Sequence, residues 1–517
     1  MPCAHLISLS EKSLAIIPTL NYKAREDQSP VAVAQPIGVW EESRQSFRKS
    51  RACPQTRTYS GTYAPDVVCD PCRTPWISAR SRWNETMTIS WISTSLAEQW
   101  VAKPIDQPLS AMRGPALTTG RTILENFRGF GGCFNELGWK ALQLVDDNAR
   151  QTILADLFSK DACAFNYCRL PIGANDYSEI WYSHNETAGD FAMADFSIKR
   201  DHQYLIPFIE AAREMRGEEL TLFASPWSPP TWMKFPQAYN YGTLVWQPEY
   251  RKAYADYFVR FVQAYSDVGI PIDAVHVQNE PNSDQKFPSC IWTGAKMRDF
   301  IRDDLGPAFK AAGLKTEIWA GTIERGDFNA WAGTIFSDAE AVAYITGAGF
   351  QWAGKHAVQR TRQAFPDLPI VQTENECGDG TNTWDHAHHV FDLIQHYVSN
   401  GAEAYVYWNM VLEPKGESTW GWQQNAMITI DPENLAVIYN PEFYVMKHFS
   451  AFVRPGAQVL ATVGPMAANA LAFRNPDGKT IFVIQNPDDA PRNVPLSLGE
   501  ETATFTLPAR SINTIRF

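Results

Sequence analysis

Two apolar stretches of this chain each end on a carboxylate. Residues 272–281 read IDAVHVQNEP, an apolar run that breaks at once into Gln278-Asn279-Glu280-Pro281. Residues 368–377 read LPIVQTENEC, again apolar, ending in Thr373-Glu374-Asn375-Glu376. A carboxylate at the exposed end of a buried strand is an unusual placement. In an α/β barrel the strands' C-terminal ends carry the chemistry. Two strand-end glutamates far apart in sequence can face each other across a barrel mouth. Such a pair suits glycoside hydrolysis, in which one carboxyl protonates the leaving oxygen and the other attacks the sugar or activates water. The competing reading of a strand-end glutamate is a salt-bridged structural carboxylate.

The segments around these stretches must place them. From residue 123 to about 440, strand-like and helix-like segments alternate. Strands are expected at 164–173, 220–233, 272–281, 316–321, 341–353, 368–377 and 402–410, with amphipathic helices at 202–215, 248–269, 297–313 and 387–401. Alternation of this kind implies a parallel sheet covered by helices. The number of units fits a (β/α)8 barrel. The glycines of NFRGFGGCF (126–134) lack dinucleotide-binding spacing. Residues 441–517 change character to short strands between Pro, Gly, Asn and Asp turns, a small antiparallel β-sandwich. Residues 87–122 supply one more strand, at 88–102, and a linking loop at 103–122. Pairing of that strand with the C-terminal segments would build the side domain from both chain ends.

The remaining 1–86 are rich in Arg, Ser, Pro and Cys without sustained periodicity, and are expected to be disordered or a non-native extension upstream of a natural start at Met87. The chain has 517 residues, 45% of them hydrophobic, ample for a large core. A net charge of −12 argues against nucleic acid as partner, because phosphate binding needs clustered Lys and Arg. The nine cysteines, odd in number and irregular in spacing, form no evident disulfide framework. Cys69-x-x-Cys72 lacks a matching second ligand pair, so no metal is expected. No stretch is long and apolar enough to span a membrane. The N-terminus lacks the basic region of a signal peptide, which makes the cytoplasm the expected compartment.

The segments GFGGCFNELGW, RLPIGANDYS, ASPWSPPTWMK, VQNEP, VQTENECG and YWNMVLEPKG occur in this order. Together they resemble glycoside hydrolase family thirty, the glucosylceramidase family, over roughly residues 88–517. The resemblance implies a (β/α)8 barrel with a side β-sandwich built from both termini, retaining hydrolysis of a β-glycoside, and no cofactor. Glu280 then corresponds to the general acid/base, Asn279 to the residue that binds the sugar 2-hydroxyl, and Glu374 to the nucleophile. Glu376 is the alternative nucleophile or a sugar-binding group, since this strand end is one residue longer before its cysteine than in the animal-type enzymes.

Asp176, Trp227, Trp408, Trp422 and Asn425 are expected to bind sugar. Asn409 closes the site beside Trp408, and Trp232 belongs to wall or core. Arg169 is expected to orient Glu374 through a bidentate pair and hold its pKa down. Gln351-Trp352-Ala353 stand where the animal-type enzymes carry a His-Trp-Tyr run, so contacts to nucleophile and aglycone must differ. The expected substrate is a β-glucoside, either glucosylceramide-like or a β-1,6-glucan. A xylosidase or other exo-glycosidase of the same family, or a carbohydrate-binding protein without catalysis, are the alternatives.

Overall fold

Eight short, largely buried strands, built mostly of apolar and small residues, close into a parallel barrel. The computed structural model describes residues 88–517 apart from 106–109, 112–113, 218–219 and 500. The readings of residues 1–86, of Met87 and of the Cys69–Cys72 spacing lie outside the described residues. The barrel strands are β1 (Gly129–Cys133), β2 (Tyr167–Pro171), β3 (Thr221–Ser225), β4 (Ala274–His276), β5 (Glu317–Ile323), β6 (Ile345–Gln351), β7 (Ile370–Glu374) and β8 (Ala404–Asn409). Hydrogen-bonded neighbours run in the order β7-β6-β5-β4-β3-β2-β1-β8.

The seam between β7 and β8 is closed partly by side chains standing in for backbone. Glu403 N–H reaches the Ile370 carbonyl at 2.7 Å. Gln372 Oε1 accepts from Val406 N–H at 2.7 Å, and Asn375 Oδ1 accepts from Trp408 N–H at 2.6 Å. At β1, close strand approach demands glycine: a Cβ on Gly131 would lie 1.9 Å from the Tyr167 carbonyl oxygen.

The helices follow from their own residues. The helix Pro248–Asp267 starts with proline at its first turn and buries Tyr254, Phe258, Phe261 and Tyr265 at spacings of three and four. The helix Trp384–Ser399 is capped by Thr383, whose side chain accepts from His386 N–H. Within the barrel, Tyr167, Phe223, Ala274, Trp319, Val371 and Val406 form an apolar plug. His276 stacks on Trp319 with ring centres 5.4 Å apart, and burial holds its imidazole well below its ordinary pKa, so it is neutral. The plug fills the barrel from below and leaves the strands' C-terminal ends as the open face.

The second body is a sandwich. Its larger sheet orders Val101–Ala102, Ser90–Ser95, Ser511–Arg516, Thr480–Asn486, Ala470–Arg474, Ala457–Val463 and Thr118–Phe127. The smaller pairs Arg492–Leu498 with Glu501–Leu507 and Ser110–Ala111. Ser90 pairs with Arg516 and Ser95 with Ser511, antiparallel, so both chain ends lie in one sheet. Trp91, Phe482, Leu496, Phe505 and Ile515 fill the space between the sheets. The single strand expected at 88–102 is instead two antiparallel strands, Ser90–Ser95 and Val101–Ala102, and Ser110–Ala111, within the expected loop, pairs in the smaller sheet. Residues 118–122, read as loop, begin the strand Thr118–Phe127, an edge strand of the sandwich. The helix Pro441–Ser450 joins barrel to sandwich: His448 bonds Thr94 at 2.8 Å and Thr514 at 2.9 Å through its two ring nitrogens.

Candidate active site

Arg169, the third residue of β2, is fully buried at the barrel mouth. A guanidinium cannot lose its charge there, so every donor needs an acceptor. One terminal nitrogen donates to Glu374 Oε2 at 2.8 Å and to the Thr373 carbonyl at 3.2 Å. The other donates to Asn279 Oδ1 at 2.7 Å and Ser225 Oγ at 2.8 Å. Its plane lies against Trp227, 4.5 Å from the ring centre, and near Trp408 at 5.5 Å. Arg169 therefore ties together the ends of β2, β3, β4 and β7.

Glu374 is the last residue of β7, and both of its oxygens are engaged. Oε2 faces Arg169, and Oε1 accepts from the Trp352 indole N–H at 2.9 Å. Burial raises its pKa, and Arg169 and then Trp352 oppose the rise without cancelling it. This corrects the expected bidentate pair and lowered pKa. Only one guanidinium nitrogen reaches Glu374, because the other is committed to Asn279, and burial outweighs the cation.

Glu280 sits just past β4 in a turn with φ of 44°. Its Oε1 accepts from Gln351 Nε2 at 3.2 Å. Burial first, then the charge of Glu374, push its pKa well up. Gln351 links the two carboxyl environments. Its Nε2 also donates to Asn279 Oδ1 at 3.2 Å, and its Oε1 accepts from Arg169 at 3.3 Å and Thr373 at 2.9 Å. Asn279 Oδ1 takes a further hydrogen bond from Thr322 at 3.2 Å, which leaves Nδ2 as the end able to donate to a ligand.

Glu280, Glu374, Asn279, Asp176, Trp227 and Trp422 line one cleft. Asp176 is buried, and its Oδ1 has no hydrogen-bond partner. Burial and then Glu374 drive its pKa well up. An unsatisfied carboxyl of this kind is suited to ligand hydroxyls, which supply the missing donors. Phe287, Trp420 and Trp422 form an aromatic rim on the cleft; Trp422 is 43% exposed, with its ring centre 5.0 Å from that of Trp420.

Other predicted residues fall outside the lining. Trp408 is buried beside Trp227, ring centres 5.4 Å apart, and backs the cleft wall instead of offering an open platform. Asn425 is buried away from the cleft. Its Oδ1 accepts from the N–H groups of Gly380 and Asn382, and its Nδ2 donates to Glu442 at 2.6 Å. Glu376 is held by Lys355 and, at 2.9 Å, by His389, so it is not brought into the cleft. Asn409 bonds Asn135 and Gln424 behind the wall, and Trp232 is buried with its indole on the Asn185 carbonyl.

Gln351 and Trp352 were visible in the sequence only as a departure from a pattern. Glu324, which follows β5 and lines the cleft, was missed, although the strand-end rule that found Glu280 applies to TEIWAGTIER equally. Among the described residues no cluster of His, Cys, Asp or Glu is arranged to hold a metal ion, and no helix is long and apolar enough to cross a membrane.

The glycosyl hydrolase family 30 TIM-barrel domain model matches residues 127–453, and the family's β-sandwich domain model matches 456–515. The chain is 31% identical over 449 residues to putative glucosylceramidase 2 of Caenorhabditis elegans, covering 81% of this chain and 85% of that protein. It is 28% identical over 415 residues to endo-1,6-beta-D-glucanase BGN16.3 of Trichoderma harzianum, covering 75% and 83%. Among solved structures it is similar to the endo-beta1,6-glucanase BT3312, with a TM-score of 0.74, 26% identity, and coverage of 83% of this chain and 98% of the other.

Proposed function

The chain belongs to glycosyl hydrolase family 30, and on that premise we propose that it hydrolyses β-glucosides with retention, using Glu374 as nucleophile and Glu280 as general acid/base. One observation carries the assignment of roles. The two carboxyls line one cleft, but only Glu374 lies against a cation, Arg169 at 2.8 Å. Glu374 is thus the group that ionises first, while Glu280, pushed up by burial and by the charge of Glu374, keeps its proton.

Ionised Glu374 attacks the anomeric carbon. The carbon–oxygen bond to the leaving group breaks, and the Glu280 proton passes to the departing oxygen. The product is a glycosyl ester on Glu374. Water then gives a proton to Glu280 and attacks the same carbon, which frees Glu374 and restores the proton on Glu280. Asn279 Nδ2 donates to the 2-hydroxyl, and Asp176 accepts from outer hydroxyls. Retaining enzymes hold the two carboxyls about 5–5.5 Å apart.

The similar proteins are named as acting on glucosylceramide or on β-1,6-glucan. Both are β-glucosides, and we take a glucosyl group as the bound sugar, carried by a glycolipid or a β-1,6-glucan. The test is a panel of nitrophenyl β-glycosides beside glucosylceramide and β-1,6-glucan. Glu374→Gln and Glu280→Gln should each nearly abolish turnover. Preference for β-xylosides would replace the sugar assignment, and no turnover of any glycoside would leave a binding protein.

A further inference from the structure

The residue directly after β5 is a third carboxylate. Glu324 is buried and lines the same cleft as Glu280. Its Oε1 accepts from Asn282 N–H at 3.1 Å and Ser283 O–H at 3.0 Å, both in the turn that leaves Glu280-Pro281. Two residues earlier, the same strand end holds the other side of that turn. The Thr322 carbonyl accepts Glu280 N–H at 3.2 Å, and Thr322 Oγ1 donates to Asn279 Oδ1 at 3.2 Å.

Glu280 needs this support. Its φ of 44° is left-handed, a conformation that a residue with a Cβ holds only where its surroundings impose it. Glu324 also carries an apparent liability: its Oε2 is buried and has no hydrogen-bond partner. Packing alone gives no reason to keep a carboxyl there.

We propose that Glu324 is a positioning residue for Glu280: it clasps the turn that follows the acid/base and sets a third carboxylate against it. The inference rests on the reading of Glu280 as acid/base. Sharing the cleft with Glu280 are Glu374 at the end of β7, Glu324 just after β5 and Asp176 from the segment after β2, and the charge of each, Glu374 first, favours the protonated form of Glu280. Arg169 offsets Glu374 at 2.8 Å, and Arg325 offsets Glu324 at 3.3 Å.

Glu374 and Glu324 differ over the reaction. The charge of Glu374 disappears when it becomes a glycosyl ester, so its help in holding a proton on Glu280 ends there. Burial raises the pKa of Glu324, and hydrogen bonds from the backbone and Ser283 and then the Arg325 cation at 3.3 Å oppose the rise. Glu324 forms no bond to the sugar, so the charge it carries when ionised is not consumed in either step. That charge favours the protonated acid in the first step and makes Glu280 a stronger base toward water in the second.

The test is the pH profile of kcat/KM for the full chain on a nitrophenyl β-glucoside. Activity falls on the basic side when Glu280 loses its proton. Glu324→Gln keeps an oxygen for Asn282 and Ser283 but removes the charge, so the basic limb should move down by about one pH unit. Ser283→Ala removes one bond of the clasp and leaves the charge. It should lower activity by less than about tenfold, as for one hydrogen bond, with the limb in place. Arg325→Gln, at a half-exposed residue, removes the offsetting cation and should move the limb up; it serves if Glu324→Gln does not fold.

A basic limb in Glu324→Gln that coincides with wild type overturns the inference, as does an unmoved limb in Arg325→Gln. Glu280→Ala separates the two readings. If it keeps the wild-type basic limb and azide rescues nothing, the acid/base assignment itself fails. If it loses that limb and azide restores turnover of an activated glucoside, only the role of Glu324 is in question.

Discussion

Arg169 and Glu374 form a buried ion pair that uses only half of the guanidinium. One terminal nitrogen meets Glu374 Oε2 at 2.8 Å, and the other meets Asn279 Oδ1 at 2.7 Å. The planar fork thereby fixes the spacing between the proposed nucleophile and the proposed 2-hydroxyl ligand. An ammonium is a point charge without that fork. Arg169→Lys should keep a cation near Glu374 but lose the link to Asn279. Loss of one or two charge-assisted hydrogen bonds in a buried site predicts a fall in unfolding free energy of about 2–3 kcal/mol. Loss of about 2.7 kcal/mol in the transition state would lower kcat/KM about a hundredfold. Thermal unfolding and steady-state kinetics check both. A rise in KM with kcat unchanged would mean that Arg169 only assists binding.

Trp352 gives Glu374 its second donor, at 2.9 Å. That N–H favours the ionised carboxylate, so removing it raises the pKa of Glu374. Activity on the acid side is lost when Glu374 takes up a proton. Trp352→Phe keeps most of the ring and removes the donor, and the acid limb of kcat/KM should therefore move to higher pH. One hydrogen bond of about 1 kcal/mol corresponds to somewhat under one pH unit. Since the carboxyls interact, the limbs belong to the pair, and it is the direction of movement that tests the contact. A profile unmoved on the acid side would remove Trp352 from the site.

The barrel and the glutamate pair were legible because both rest on local patterns. A buried strand that breaks into polar residues marks its own C-terminal end, and this located Glu280 and Glu374. The pairing of Ser90–Ser95 with Ser511–Arg516 was legible from their shared strand character. Thr118–Phe127 was not, because an edge strand has half its residues facing water and shows no clean alternation. Glu374 and Glu376 could not be separated by strand parity, since residues two apart share a face of a continuing strand; the structure separates them because β7 ends at Glu374. Asn425 and Trp408 depended on tertiary contacts: the first on Glu442 and the 380–382 backbone, the second on Trp227. No local pattern specifies partners that distant.

Trp422 tests the outer cleft. It lies on the rim beside Trp420 and is 43% exposed, so truncating it leaves the core intact. A sugar or acyl chain beyond the scissile bond has this aromatic face to pack on. Trp422→Ala should raise KM for β-1,6-glucan or glucosylceramide by about five- to tenfold, the equivalent of about 1–1.4 kcal/mol of lost aromatic contact. A nitrophenyl β-glucoside, with its small leaving group, should be affected less. Equal effects on all substrates would place Trp422 against the glucosyl group itself.

Glu376 decides between the two glutamates of β7's end. It is held by Lys355 and by His389 at 2.9 Å, and these bonds, that of His389 first, lower its pKa from 4.5 to about 2. A carboxyl with a lowered folded-state pKa stabilises the fold above its unfolded pKa, and that contribution is lost as pH falls through the folded value. At 1.36 kcal/mol per pH unit the lowering corresponds to at most about 3 kcal/mol, and solvent screening at this partly exposed cluster reduces the contribution to about 1–2 kcal/mol at neutral pH. Glu376→Gln should therefore be less stable than wild type at pH 7. The difference should shrink as pH falls from 4.5 toward 2, and should be absent below that. Denaturant unfolding at several pH values measures it. Hydrolysis should change less than about twofold, because the side chain is not brought into the cleft, whereas Glu374→Gln should be inactive. If Glu376→Gln instead loses hydrolysis while Glu374→Gln retains it, the nucleophile is Glu376 and its bonds to Lys355 and His389 must open during turnover.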